Sequence, residues 1–177
     1  YMIAGVNPTI VETDRVNGIQ NPLFGIVQYE YLRGLSDTDL RNMVKTLGRR
    51  MGLNFEHDSI TYLMDWYGGH PLLSRLACSW INKESQIKKE KKPILITKQR
   101  LLDDQANRDS DLVFYCKHVV SELQDFYPDE YEMLELLSSG QTTDFVELSN
   151  LPEFIKHLKN YGLLEYDTRN VPKVAIP

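Results

Sequence analysis

The stretch Tyr67-Gly68-Gly69-His70-Pro71-Leu72-Leu73 lies near the middle of the 177-residue chain and predicts a corner between two helices. Glycine tolerates the positive-φ backbone that ends many helices, so Gly68 and Gly69 are expected to close the first helix. Pro71 suits the first turn of the second helix, because its missing N–H would be unpaired there anyway. Such a corner exposes a helix N-terminus, a feature that can attract a phosphate or pack on a flat base, although most helix N-termini bind nothing.

Apolar residues at 3.6-residue spacing predict three short helices around this corner. The first follows the N-cap Ser36 and ends near Gly52, the second covers residues 58–67, and the third covers residues 71–82. The lysine-rich residues 83–92 predict a solvated loop in preference to a nucleic-acid-binding arm. The apolar residues 94–96 are interpreted as a connector, and Thr97 is expected to cap a helix that runs to residue 108.

Two strands are predicted before the helices. Residues 1–7 form an apolar run closed by Asn-Pro, and residues 26–32 are rich in β-formers. A strand that is apolar on both faces normally belongs to a helix-covered parallel sheet, so we expect the chain to be cut from a longer protein. The first strand is expected to pair with residues 28–32 or with the same strand of another copy, because unpaired strand edges promote association.

The pattern changes at about residue 111. One helix is predicted from there to residue 123, another from Pro128 to residue 140, a short element over residues 145–148, and a helix over residues 151–161. Residues 163–176 predict a strand, a turn and a strand. Helices followed by a β-hairpin are the order of a winged helix. The predicted fold class is therefore mainly α with small β content.

Four motifs, taken in the order in which they occur along the chain, resemble the C-terminal part of a nucleotide-binding ATPase of the AAA-like or STAND type. Ile3-Ala4-Gly5-Val6-Asn7 resembles the core strand whose last polar residue senses the γ-phosphate. Tyr31-Leu32-Arg33-Gly34-Leu35-Ser36 resembles the strand that leaves the core and caps the first lid helix. Gly68-Gly69-His70-Pro71 resembles the Gly-x-Pro lid motif, whose proline packs near the adenine, and Tyr161-Gly162-Leu163-Leu164 resembles the usual end of the winged helix.

The resemblance implies three parts: residues 1–33 as a remnant of a truncated α/β NTPase core, residues 34–110 as a helical lid with a connector, and residues 111–177 as a winged-helix domain. It implies a nucleotide-sensing lid and a regulatory winged helix, with ATP or ADP as the cofactor of the longer parent and the rest of the NTPase core as the partner. The implied nucleotide-binding residues are Asn7, Gly69, His70 and Pro71. Arg75 lies one turn beyond Pro71 on the same helix face, but we favour a solvated side chain there.

Catalysis is not expected from this chain alone. It contains no Gly-x-x-x-x-Gly-Lys-Ser/Thr loop and no apolar strand ending in paired acidic residues that would hold magnesium, so the fragment alone is expected to be neither an enzyme nor a holder of a cofactor. Two other functions stay open: a DNA-binding winged-helix protein, and a protein-interaction module with no nucleotide role.

Charge favours a protein partner over nucleic acid. Residues 111–177 carry twelve Asp and Glu against five Lys and Arg, and such a surface repels the phosphates of a duplex. Docking of the acidic part on the core or on the basic lid face of Arg41, Lys45 and Arg49 fits the opposite charges better.

Other classes of site are not supported by the spacing of residues. The four histidines lie far apart in sequence, and Cys78 and Cys116 have no CxxC or Cys/His pattern, so neither a metal site nor a disulfide is expected. The chain has no apolar run of membrane-spanning length and no basic-then-apolar leader, so a cytoplasmic protein is expected.

Overall fold

The computed structural model describes residues 12–28 and 30–176, and over these residues the protein is mainly helical with a few short strands. The predicted fold class, mainly α with small β content, is confirmed. The described residues form eight α-helices: α1 Asp37–Met51, α2 His57–Tyr67, α3 Pro71–Ile87, α4 Lys98–Asp103, α5 Gln105–Phe126, α6 Pro128–Ser138, α7 Thr142–Leu148 and α8 Lys156–Asn160, with a 3-10 turn at Pro152–Phe154.

Six short strands pair two by two in the described part of the chain. The strands are β1 Arg15–Val16, β2 Ile19–Gln20, β3 Leu53–Phe55, β4 Ile94–Ile96, β5 Leu164–Tyr166 and β6 Pro172–Val174. β1 and β2 form an antiparallel hairpin, β3 and β4 a parallel pair, and β5 and β6 an antiparallel hairpin. The C-terminal strand, turn and strand are therefore as predicted.

Helix α1 shows how local chemistry sets an element. The Ser36 hydroxyl accepts a hydrogen bond from the backbone N–H of Asp39 at 3.2 Å, which satisfies one of the free donors of the helix start. Leu40, Val44 and Gly48 form its buried face. A Cβ on Gly48 would lie 2.9 Å from the carbonyl oxygen of Leu53, so the glycine lets β3 pack directly on the helix.

Two hydrophobic clusters divide the buried residues. The helical cluster takes its buried members from residues 40–112, and the C-terminal cluster takes its members from residues 123–164. Helix α5 belongs to both, because Leu112 lies in the helical cluster and Leu123 in the C-terminal cluster. This helix is continuous across residues 110 and 111, where the sequence suggested a domain boundary, so the three predicted domains stay a prediction.

The strand predicted over residues 26–32 is wrong for its described part. Residues 22–26 form turns, with the N–H of Ile26 donating to the carbonyl of Leu23, and residues 28 and 30–36 have no regular structure. A β-rich composition forms a strand only where a partner edge is present. The hairpin of this region lies earlier, around Asn17 and Gly18, whose φ values of 51° and 79° suit a tight hairpin turn.

The connector predicted over residues 94–96 is also wrong. These residues form β4, which pairs in parallel with β3, a strand that the sequence pattern did not reveal. Ile94 and Ile96 are buried against the helical cluster. Three residues are too few to show a periodicity, so this pairing was decided by the tertiary fold.

Three predicted helix boundaries need correction. The third helix continues to Ile87, so the lysine-rich loop begins only at residue 88. The helix predicted over residues 97–108 is divided at Asp104 into α4 and α5, although Thr97 does cap it as expected. The helix predicted over residues 151–161 is broken at Ile155, whose φ of −137° separates the 3-10 turn from the five-residue α8. The strand predicted over residues 1–7 lies outside the described residues.

Candidate functional site

The predicted corner between α2 and α3 is present. Gly68 and Gly69 follow Tyr67 with φ values of 56° and 68°, so both have the left-handed conformation expected at the end of a helix. The Nδ1 atom of His70 accepts a hydrogen bond from the N–H of Leu73 at 3.4 Å and caps α3. Pro71 occupies the first turn of α3, and its ring is exposed.

Close backbone packing explains both glycines. A Cβ on Gly69 would lie 2.5 Å from the carbonyl oxygen of Leu35, and a Cβ on Gly68 would lie 2.6 Å from that of Ala175. The N–H of Leu35 also donates to the carbonyl of Gly69 at 2.8 Å. The segment before α1 and the residues after the C-terminal hairpin therefore meet at the corner.

The corner is better suited to an apolar contact than to binding a phosphate. Burial lowers the pKa of His70, so its imidazole is neutral at pH 7 and its Nδ1 is free to accept the N–H of Leu73. That bond occupies one of the donors that a phosphate would need, and Pro71 supplies no donor. The exposed ring of Pro71 is the part of the corner that a flat base could cover. Arg75 is exposed, in keeping with a solvated side chain.

A buried arginine supports the corner from α5. The Arg108 side chain is fully buried and donates to the Tyr67 hydroxyl at 2.7 Å and to the Leu101 carbonyl at 2.9 Å. The Tyr67 hydroxyl in turn donates to Asp109 at 2.8 Å, and the indole of Trp66 donates to the same carboxylate at 2.8 Å. Burial raises the pKa of Tyr67 despite the nearby guanidinium, so this hydroxyl stays protonated. These bonds fix the last residue of α2, which precedes the two glycines.

A second polar cluster lies in the C-terminal part of the chain, and we call it the carboxylate clamp. Its members come from distant parts of the sequence: Glu12, Tyr31, Tyr127, Glu130, Lys156 and His157. The inner half is a buried pair, in which Glu130 accepts hydrogen bonds from the His157 Nδ1 at 2.5 Å and from the backbone N–H of His157 at 2.7 Å. The N–H of Leu158 donates to the same carboxylate at 3.0 Å. Glu130 therefore holds both the ring and the backbone of His157.

The outer half of the clamp is the carboxylate of Glu12. One oxygen contacts the His157 Nε2 at 2.8 Å and accepts from the Tyr127 hydroxyl at 3.2 Å. The other accepts from the Tyr31 hydroxyl at 3.1 Å and from the Lys156 Nζ at 3.2 Å. Burial acts to raise the pKa of Glu12, but the hydrogen bonds from His157 and Lys156 outweigh it and leave the pKa lowered. The Glu12 side chain is only 13% exposed.

The two tyrosines of the clamp pack against its other members and donate hydrogen bonds. Tyr127 stacks on the His157 ring with a centroid distance of 3.7 Å. Burial, and then the negative charge of Glu12, raise the pKa values of Tyr127 and Tyr31, so both hydroxyls are donors at neutral pH. Each nitrogen of the His157 ring faces a carboxylate oxygen, Nδ1 that of Glu130 and Nε2 that of Glu12.

The structure brings three of the four predicted nucleotide-binding residues together at the corner: Gly69, His70 and Pro71. Asn7 lies outside the described residues. Arg41 of the predicted docking face pairs with Asp37 of its own helix at 2.6 Å and also donates to the hydroxyl of Thr61.

The sequence reasoning missed the clamp and the buried arginine. A signal was present for Glu130, which shares a helix face with Met133 and Leu137 and is therefore an acidic residue at a core position. Arg108 likewise precedes the buried Leu112 by one turn. Nothing in the spacing of residues pointed to Glu12, because its contacts with Tyr127, Lys156 and His157 span 115 to 145 residues of sequence.

Comparisons with protein-family models, with curated proteins and with solved structures find no match. Among the described residues, none of the helices has the length and apolar character needed to cross a membrane. The same residues place no three His, Cys, Asp or Glu side chains where they could hold a metal ion. The resemblance to AAA-like and STAND ATPases therefore stays a prediction that follows from the sequence motifs.

Proposed function

We propose that this chain is the nucleotide-sensing lid and regulatory C-terminal portion of a larger AAA-like or STAND-type ATPase, and that it does not catalyse hydrolysis by itself. The observation that carries the proposal is the corner at residues 67–71. It presents the exposed ring of Pro71 on a backbone that two positive-φ glycines and the His70 cap hold in place. An exposed apolar ring on a fixed support is suited to pack against the flat face of an adenine.

The surroundings of the corner support a sensing role. The backbone before α1 contacts Gly69 through Leu35, and the residues after the C-terminal hairpin contact Gly68 through Ala175. A shift of the corner on nucleotide binding would therefore displace both the segment that leads out of the proposed core and the residues that follow the C-terminal hairpin. Coupling of this kind requires two states of the corner that the nucleotide binds with different affinities.

The winged-helix part is proposed to bind protein rather than DNA. The helix that would enter a major groove, α8, has only five residues, and its Lys156 already contacts Glu12 at 3.2 Å. A duplex-binding surface also needs a surplus of basic residues, whereas residues 111–177 have twelve Asp and Glu against five Lys and Arg.

The test is a titration of the longer ATPase with ATP and ADP, comparing the unchanged protein with Pro71→Ala. The matched control is Pro128→Ala, since Pro128 is also an exposed proline at the first turn of a helix but lies away from the corner. We expect Pro71→Ala to weaken nucleotide binding by about tenfold, because the ring contact with the base is lost. Pro128→Ala should leave the affinity unchanged.

If Pro71→Ala and the unchanged protein bind ATP and ADP with equal affinity, the corner has only a structural role. Substitution of Gly69 is a poorer probe, because a side chain there would strike Leu35 and disturb the fold as well as the site. Sub-micromolar binding of duplex DNA by the chain at physiological salt, abolished by Lys156→Glu and Lys159→Glu, would favour the DNA-binding alternative instead.

A further inference from the structure

The outer half of the carboxylate clamp has the features of a binding site with its ligand bound. Four side chains contact the two carboxylate oxygens of Glu12. Three of them, Tyr127, Lys156 and His157, are far along the chain from Glu12. The fourth, the Tyr31 hydroxyl, lies on the same N-terminal segment as Glu12. The carboxylate thus joins the N-terminal segment to the C-terminal cluster.

The receiving side is held in place without help from Glu12. Glu130 fixes the ring and the backbone of His157 from within the C-terminal cluster, and Tyr127 lies flat against the ring. Because Glu130 and the stacked Tyr127 ring position the imidazole, we expect the His157 ring to keep its place when Glu12 is removed. Preorganised donors of this kind bind a carboxylate without the cost of ordering them.

A surface groove lies next to the clamp. Lys156 and Lys159 line this groove of about 280 Å³ together with Ser149, Pro152, Ile155 and Asn160. The groove therefore shares Lys156 with the clamp, and Lys159 is exposed beside it. Two exposed lysines beside a carboxylate-binding cluster suit an acidic peptide.

We propose that Tyr127, Lys156 and His157 form a carboxylate-binding site for an acidic peptide segment, and that Glu12 occupies this site as a ligand supplied by the chain itself. The site is exchangeable: an acidic side chain of a protein partner competes with Glu12, and its binding releases the N-terminal segment. The proposal does not depend on nucleotide binding, and its test contains no nucleotide.

The first experiment measures how firmly the N-terminal segment is held. Trypsin cleavage at the exposed Arg15 is compared in the unchanged chain, in Glu12→Gln and in Glu30→Gln. Glu30 is the matched control, since it is an exposed glutamate that is not adjacent to the cleaved bond. We expect Glu12→Gln to accelerate cleavage at least about tenfold, because the hydrogen bonds to a charged acceptor are lost, and Glu30→Gln to have no effect.

The second experiment asks whether the emptied site binds a carboxylate. Sodium acetate is titrated into Glu12→Ala at constant ionic strength with chloride as the balancing anion, and the ring signals of His157 and Tyr127 are followed by NMR. Saturable shifts are expected in Glu12→Ala, weaker binding in Glu12→Ala with Lys156→Met, and no saturable shift in the unchanged chain.

Two results would overturn the proposal. One is unchanged cleavage of Glu12→Gln, which would mean that Glu12 does not hold the segment. The other is an absence of saturable acetate binding by a folded Glu12→Ala, which would reduce the clamp to a fixed structural contact. A third experiment adds a peptide of residues 8–20 to Glu12→Ala and tests the class of ligand. The peptide with Glu at its fifth position should bind, and the same peptide with Gln there should not. Equal binding of the two peptides would be a third result against the proposal.

Discussion

The helical cluster and the C-terminal cluster each bury a basic side chain, but its partners are arranged in different ways. In the helical cluster, Arg108 finds its partners Tyr67 and Leu101 within the same cluster. In the C-terminal cluster, His157 contacts Glu130 on one side and Glu12, which lies outside both clusters, on the other. Arg108 is part of a self-contained core, whereas His157 connects a core to a separate segment of the chain.

The difference indicates that Arg108 has a structural role, whereas the Glu12 contact is the one that we propose for regulation. A buried charge whose partners are all in one core cannot be exposed without unfolding that core. In our proposal the Glu12 carboxylate is exchangeable, and the Glu130–His157 pair remains in place. The predictions below test this contrast, beginning with the largest expected effect.

Replacement of Arg108 by Met should destabilise the protein most. The change leaves the carbonyl of Leu101 and the carboxylate of Asp109 without a positively charged neighbour in a buried region, and we expect a loss of about 3 kcal/mol in the free energy of unfolding. Urea denaturation measures it. Arg75→Met, which changes an exposed arginine on α3, should cost less than about 0.5 kcal/mol. Equal effects of the two changes would remove the distinction between a core arginine and a surface one.

Replacement of Glu130 by Gln should cost about 2 kcal/mol in the free energy of unfolding, because a neutral amide is a weaker acceptor for the two backbone N–H groups and the His157 ring. Glu132→Gln is the control, since Glu132 is exposed on the same helix. The comparison is sharpened by measuring trypsin cleavage at Arg15 in parallel. A Glu130→Gln protein that is fully stable would show that the inner half of the clamp does not hold the C-terminal cluster together.

Alanine in place of Gly69 tests the close packing of the corner. Gly69 and Gly140 have similar positive φ values of 68° and 80°, but a Cβ on Gly140 meets nothing within 4 Å. Gly140→Ala should therefore cost only the conformational strain of about 1 kcal/mol, and Gly69→Ala about 1 to 2 kcal/mol more, because of the contact with Leu35. Thermal or urea unfolding of the two variants gives the difference, and equal costs would mean that the corner can open without penalty.

The smallest expected effect is the pH dependence that the Glu12 carboxylate contributes to the free energy of unfolding. Because the folded-state pKa of Glu12 lies below its ordinary value of 4.5, its contact stabilises the fold above about pH 4.5 and is lost as the pH falls through the folded-state value. The stability difference between the unchanged chain and Glu12→Gln should therefore shrink between pH 6 and pH 3. A difference that stays constant over this range would show that the Glu12 carboxylate is not the group that titrates.

Several parts of the structure could be predicted from the sequence because they depend on local chemistry. Ser36 capped α1 as its position before Asp39 indicated, and Gly68, Gly69 and Pro71 set the corner between α2 and α3. The hairpin of β5 and β6 followed from alternating residues around a turn. In each case the decisive residues lie within a few positions of one another, where backbone propensity and capping act.

Other parts of the structure could not be predicted locally. The strands β3 and β4 are three residues each, and they exist because Leu53 and Ile94 meet across two intervening helices. Residues 26–32 have the composition of a strand, but the described ones, 26–28 and 30–32, find no partner edge and have turn or irregular backbone instead.

The sequence by itself determined the helical fold class, the caps and the conformation of the glycine corner, because each rests on the φ preferences and hydrogen bonds of neighbouring residues. Only the tertiary structure decided that Leu35 and Ala175 close on the two glycines and that Glu12 reaches His157. Contacts between residues tens of positions apart or more depend on how whole elements pack, and no periodicity or spacing along the chain records which partners that packing brings together.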